Sequence, residues 1–234
     1  MSNATQRADG VAAAFTEHFV QADGLRIRYL EAGQGNPVVV LHGSDGLTPS
    51  PLNNLLAQQF RVIAIEIPGF GPSVVNERSQ SLRDLAHTLA EAVTAIGLDR
   101  YGLVSTSASA PLALWQAIEA QERIDALVLI SPVALFPEGW TAIGGRNRDP
   151  ELERRLADMQ TATLVLIGTR DETIPPETGR LYVERIPNCY YVLVYDAGHV
   201  IEAERPEALC AAVRDFLERR ETFVVSRKTT VINP

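Results

Sequence analysis

The strongest constraint on the fold is a set of uninterrupted apolar runs, each closed by a small or polar turn. Pro37-Val38-Val39-Val40-Leu41 is the first. Val62-Ile63-Ala64-Ile65, Tyr101-Gly102-Leu103-Val104, Ala126-Leu127-Val128-Leu129-Ile130, Thr163-Leu164-Val165-Leu166-Ile167 and Tyr190-Tyr191-Val192-Leu193-Val194-Tyr195 follow. A strand with one wet face alternates apolar and polar residues, whereas a strand that is apolar throughout is covered on both faces. Between the runs lie helical patterns at 82–96, 111–120, 151–159, 177–186 and 206–217. Alternating strands and helices predict an α/β domain, a mostly parallel sheet of about eight strands with helices on both faces. An antiparallel hairpin around Asp23-Gly24, joining 15–20 to 25–30, is expected ahead of it. Ligands of such sheets bind outside the carboxyl ends of the strands, so chemistry is sought there.

One strand end stands out. Val104-Ser105-Thr106-Ser107-Ala108-Ser109-Ala110 leaves a buried run and enters a helical one, Pro111-Leu112-Ala113-Leu114-Trp115. A sharp strand-to-helix turn lifts the apex side chain, Ser107, above the sheet. The positions two before and two after the apex must be small, because the backbone passes close to its neighbours. Glycine is usual at both, and serine occupies both here, Ser105 and Ser109. The pattern is a nucleophile elbow with two added hydroxymethyl groups; the alternative for Ser107 is an ordinary turn serine.

Four further motifs close apolar runs in order: His42-Gly43, Ile67-Pro68-Gly69-Phe70-Gly71-Pro72-Ser73, Gly168-Thr169-Arg170-Asp171 and Ala197-Gly198-His199. With the elbow between them, the order Ser, Asp, His at successive strand ends resembles the α/β-hydrolase family, over about residues 15–217. The resemblance implies that Ser107 is the nucleophile, His199 the base that takes its proton, and Asp171 the acid that orients His199. Asp196 and Glu138 are the alternative acids, and a loop-capping carboxylate is the structural alternative for Asp171. It also implies an oxyanion hole from the backbone N–H groups of Ala108 and Ser44, with His42 bracing that turn. Asp45 sits awkwardly there, since a carboxylate repels a developing oxyanion unless it points away. Glu66, before the Pro-Gly turn, is expected to be structural, and His18 and His87 are expected to be surface or packing residues.

The family commonly inserts a helical lid after the strand at 126–130. Here residues 133–161 leave room only for a minimal cap, which predicts an open or shallow site walled by Leu47, Phe136 and Trp140. The helix at 151–159 is expected to serve the core as a crossover. The tail, 221–234, alternates like a strand beyond the last helix. It is expected to dock on its own domain or on a neighbouring subunit, a route to a homo-oligomer. The first dozen residues read as a flexible lead, ahead of a single domain at 13–220.

A formal net charge of -8 argues against nucleic acid and anionic membranes as partners. No apolar run reaches the roughly 18 residues of a membrane span. The two cysteines, Cys189 and Cys210, form neither a metal pattern nor a disulfide framework, so a cytoplasmic location is expected. No metal or cofactor is called for. The expected function is hydrolysis of a small ester, thioester or related carbonyl compound through an acyl-enzyme. A catalytically inactive member of the fold that binds a ligand or partner, and a cofactor-free perhydrolase, are the alternatives.

Overall fold

A computed structural model describes residues 13–73, 77–139, 141–143, 146–220 and 230–232. Strands β1 (Thr16–Ala22) and β2 (Leu25–Ala32) form the expected hairpin, with Ala22 opposite Leu25. Asp23 and Gly24 take φ of +48° and +73°. Two left-handed residues make the primed turn whose twist suits adjoining strands, which is why an Asp-Gly pair sits there.

The main sheet continues with β3 (Pro37–Leu41), β4 (Arg61–Ile65), β5 (Tyr101–Thr106), β6 (Ile124–Ile130), β9 (Thr163–Gly168), β10 (Cys189–Val194) and β11 (Thr230–Ile232). A small hairpin of β7 (Ala142–Ile143) and β8 (Arg146–Asn147) stands apart. The nine main strands run β1-β2-β4-β3-β5-β6-β9-β10-β11 and are parallel from β4 onward. The ninth is the tail, β11, which pairs with β10 of its own domain. Because β3 lies between β4 and β5, the chain reverses its direction of travel across the sheet there. That switch point opens a crevice at the carboxyl ends of β3 and β5.

Alternate residues of each central strand feed two cores. Leu127 and Leu129 of β6 pack on one face with α2 (Leu82–Ala95), α3 (Ala110–Glu119), α4 (Pro150–Arg155) and α5 (Thr178–Arg185). Ala126, Val128 and Ile130 pack on the other with α1 (Pro51–Leu56), α6 (Ile201–Glu204) and α7 (Pro206–Arg219). The helices start where side chains satisfy their first N–H groups: Ser50, Ser81 and Asp149 accept from Asn53, Asp84 and Leu152.

The connection from β6 to β9 is as short as expected. The helix predicted at 151–159 is α4 followed by a tight turn at Leu156–Asp158. Leu152, Leu156 and Met159 are buried in the core, and Asp149 accepts from the indole N–H of Trp115 at 3.2 Å. This segment braces the domain as a crossover. Cys189 and Cys210 are buried free thiols, and burial pushes both pKa values up.

Candidate active site

At the end of β5 the chain turns so sharply that Ser107 takes φ of +52°. A non-glycine residue pays for that conformation, and surrounding structure must hold it. Ser105 and Ser109 supply part of the hold. Both are buried beneath the turn, with hydroxyls 2.8 Å apart. Ser109 Oγ also lies 3.2 Å from the Leu41 carbonyl and 3.0 Å from that of Thr106. The two hydroxymethyl groups therefore tie the base of the elbow to β3. Above them, the Ser107 carbonyl accepts from Val133 N–H at 3.0 Å.

His199 arrives from the loop after β10. Its Nε2 is 2.8 Å from Ser107 Oγ, and its Nδ1 is 2.9 Å and 3.1 Å from the two carboxylate oxygens of Asp171. Nδ1 facing a carboxylate carries the proton, which leaves Nε2 as an acceptor for the serine hydroxyl. The Asp171 side chain is fully buried, and Oδ1 also accepts from the N–H groups of Thr173 and Ile174 at 2.9 Å and 2.8 Å. The acid thus shapes its own loop as well as holding the imidazole. Gly168 permits the approach, since a Cβ there would lie 2.2 Å and 2.3 Å from the carbonyls of Ala197 and Gly198. Ser131 Oγ donates to the His199 carbonyl at 2.9 Å. The alternative acid Asp196 pairs with Arg170 and Arg205, and Glu138 lies in the β6–β9 connection.

The turn after β3 lies against this trio: a Cβ on Gly43 would sit 3.8 Å from that of Ser107. His42 fixes the turn. Its Nδ1 donates to the Gly43 carbonyl at 2.6 Å and its Nε2 accepts from Ile67 N–H at 3.0 Å, while its ring packs edge-on to Phe70. Both nitrogens are spent, and burial holds its pKa below the usual histidine value. Ser44 and Asp45 are exposed on the same turn.

Residues 36–161 match the sequence model of the alpha/beta hydrolase fold. The chain belongs to the α/β-hydrolase fold family. It is 35% identical to a 2-hydroxymuconate semialdehyde hydrolase of Pseudomonas sp. (strain CF600), over 88% of this chain and 95% of the relative. It is 25% identical to a 2-hydroxy-6-oxo-6-(2'-aminophenyl)hexa-2,4-dienoic acid hydrolase of Metapseudomonas resinovorans, over 94% and 97%. Among solved structures, a serine hydrolase involved in carbazole degradation superposes with a TM-score of 0.76 at 23% identity, over 88% of this chain and 99% of that one; that likeness concerns the fold alone. The alignment with the Pseudomonas sp. relative runs over 268 positions, more than the 234 residues present here. That relative therefore carries segments with no counterpart in this α/β hydrolase.

Around the trio, the hydrolase holds its loops with buried charge. Glu66 is 1% exposed, accepts from Arg28 at 2.8 Å and from Ser73 N–H at 3.0 Å, and so clamps the Pro-Gly turn as a structural residue. Leu47 is buried beside the turn after β3 and lines a cavity there. Phe136 is 2% exposed, packed in the core face that holds α3. Trp140 lies outside the described residues. Sequence reasoning did not anticipate Thr106, whose hydroxyl donates to Glu202 at 2.6 Å, nor Asn53 and Ser131. The one signal for Glu202 is its place three residues after His199. Among the described residues no group of three or more His, Cys, Asp or Glu side chains has metal-binding geometry, and no helix is long and apolar enough to cross a membrane.

Proposed function

We propose that this α/β hydrolase is a serine hydrolase acting on a small ester, thioester or related carbonyl compound. The observation that carries the reading is the unbroken relay from Ser107 through His199 to Asp171, built on a serine held at positive φ. His199 takes the hydroxyl proton at Nε2 as Ser107 attacks the carbonyl carbon. Asp171 keeps the proton on Nδ1 and stabilises the imidazolium. The N–H groups of Ala108 and Ser44 receive the developing oxyanion. His199 then passes its proton to the leaving group, and water attacking the acyl-serine returns the enzyme. The hydrogen-bonded Ser105–Ser109 pair supports an intact elbow and weakens the inactive-member reading that the double substitution suggested.

Hydrolysis of a dienoic acid or semialdehyde, as named for the two relatives, is the second reading, favoured by their similarity along nearly their whole length. The relative's additional segments set it second. A fluorophosphonate tests the first reading. Intact mass is expected to show one adduct on the wild type, none on Ser107→Ala, and an adduct retained on Ser105→Ala and Ser109→Ala. Ester hydrolysis by Ser107→Ala is expected to fall by a factor on the order of 10³ or more. No adduct on folded wild type would turn the search from substrates to ligands.

A further inference from the structure

The carboxyl ends of β5 and β6 lie side by side, with Thr106 paired to Ile130. The next residue of each chain segment, Ser107 and Ser131, takes a positive φ, +52° and +43°. At Ser107 that backbone belongs to the elbow. Ser131 is fully buried, and a glycine would adopt the same backbone without strain. What serine adds there is a hydroxyl, and that hydroxyl donates to the His199 carbonyl at 2.9 Å. Strain kept at a residue whose distinguishing group bonds the base points to function.

Two residues on, Val133 N–H donates to the Ser107 carbonyl at 3.0 Å. Residues 131–133 therefore hold the main chains of nucleophile and base at once. The strap is itself fixed. Ser131 N–H donates to the Leu166 carbonyl of β9 at 2.8 Å. Tyr182 of α5 is fully buried, and its hydroxyl donates to the Pro132 carbonyl and accepts from Leu135 N–H, 3.1 Å from each. Burial pushes the Tyr182 pKa up, so the hydroxyl keeps its proton. The loop that carries His199 has anchors ahead of the histidine as well. The Ala197 carbonyl accepts from Arg170 N–H at 2.8 Å, and Gly198 N–H donates to Glu204 at 2.9 Å. Ser131 holds the histidine's own carbonyl, so losing its hydroxyl frees the base without releasing the loop.

We infer that Ser131 is a positioning residue, whose hydroxyl fixes His199 relative to Ser107 through a strap bonded to both. The role rests on the serine-hydrolase reading and names a further residue for it. It acts through His199 on proton transfer and leaves substrate affinity alone. Such geometry tolerates little, since a misplacement of about 1 Å can cost on the order of 100-fold in rate.

The test compares wild type with Ser131→Ala and Ser131→Gly, using p-nitrophenyl acetate for turnover and a fluorophosphonate for the rate of Ser107 labelling. Both variants lose the hydroxyl, but only glycine also loses the backbone strain. In both, kcat and labelling rate are expected to fall by about tenfold or more with KM within about twofold of wild type. The denaturant midpoint of Ser131→Gly is nevertheless expected to lie above that of Ser131→Ala. A merely structural serine would make activity follow stability and spare Ser131→Gly. Should Ser131→Ala fold poorly, Ser131→Gly carries the test. Full kcat in Ser131→Gly, or a raised KM at unchanged kcat, overturns the assignment. If wild type neither turns over nor labels, the hydrolase reading fails by itself, and nitrogen NMR of isotope-labelled histidine decides the tether at a pH where histidine is neutral. A His199 proton fixed on Nδ1 in wild type and shared between both nitrogens in the two variants upholds it. The same tautomer in all three proteins, or an unfixed one in wild type, overturns it.

Discussion

Two residues of the relay stand in opposite relation to the fold. Ser107 is held in a conformation that glycine adopts freely, whereas Asp171 satisfies two N–H groups of its own loop. Ser107→Gly is therefore expected to abolish hydrolysis and to raise stability, by about 1 kcal/mol from relieved backbone strain. Asp171→Ala is expected to abolish hydrolysis as well, and to lower stability by roughly 1–3 kcal/mol as Thr173 and Ile174 lose their acceptor. Denaturant midpoints of the two variants, both folded and both inactive, should fall on opposite sides of the wild type. A shift in the same direction would mean that strain and loop anchoring are misassigned. The reading of Ser107, His199 and Asp171 was legible because each follows an apolar run that could only be a covered strand. Thr106 and Glu202 were not legible, since 96 residues separate them and nothing but the folded sheet brings them together.

At the scale of elements, His42 joins the loop after β3 to the loop after β4 through Ile67 N–H. It can accept there only while neutral, and burial lowers its pKa from the ordinary 6.5. The unfolded chain takes up this proton at a higher pH than the folded one. The stabilisation is complete above about pH 6.5 and is lost as pH falls below it, with a slope of at most ~1.4 kcal/mol per pH unit. Comparing unfolding of wild type and His42→Gln from about pH 8 to about pH 5 should show the gap between them narrowing toward acid; parallel curves would remove His42 from the acid response. The long elements were readable from periodicity, with ends displaced by a residue or two. The short ones were not: α6 has four residues and the β7–β8 hairpin two per strand, too few for any period to register. The α1 turn is too short for a period but carries a start signal, with Pro51 at its first position and Ser50 capping it.

For the molecule as a whole, the sheet is finished by β11, whose Thr230, Val231 and Ile232 pair with Val192, Leu193 and Val194. Tyr195 N–H adds a bond to the Ile232 carbonyl at 3.0 Å, and Ile232 packs on the core that α7 covers. Deleting residues 222–234 would leave β10 as an open edge, a template for pairing with other chains. The truncated protein is expected to melt a few degrees lower, as about 1–2 kcal/mol would produce in a domain of this size, and to associate with rising concentration in light scattering. Unchanged melting and mass would show that β11 contributes nothing to the closure of the sheet. The unequal anchoring of serine and aspartate has a consequence for descendants of such a chain. A lineage released from selection for turnover would gain by discarding the serine and lose by discarding the aspartate. Pseudoenzymes arising on this scaffold should therefore keep the acid long after the nucleophile has drifted away, so an aspartate in that loop is poor testimony to a living enzyme.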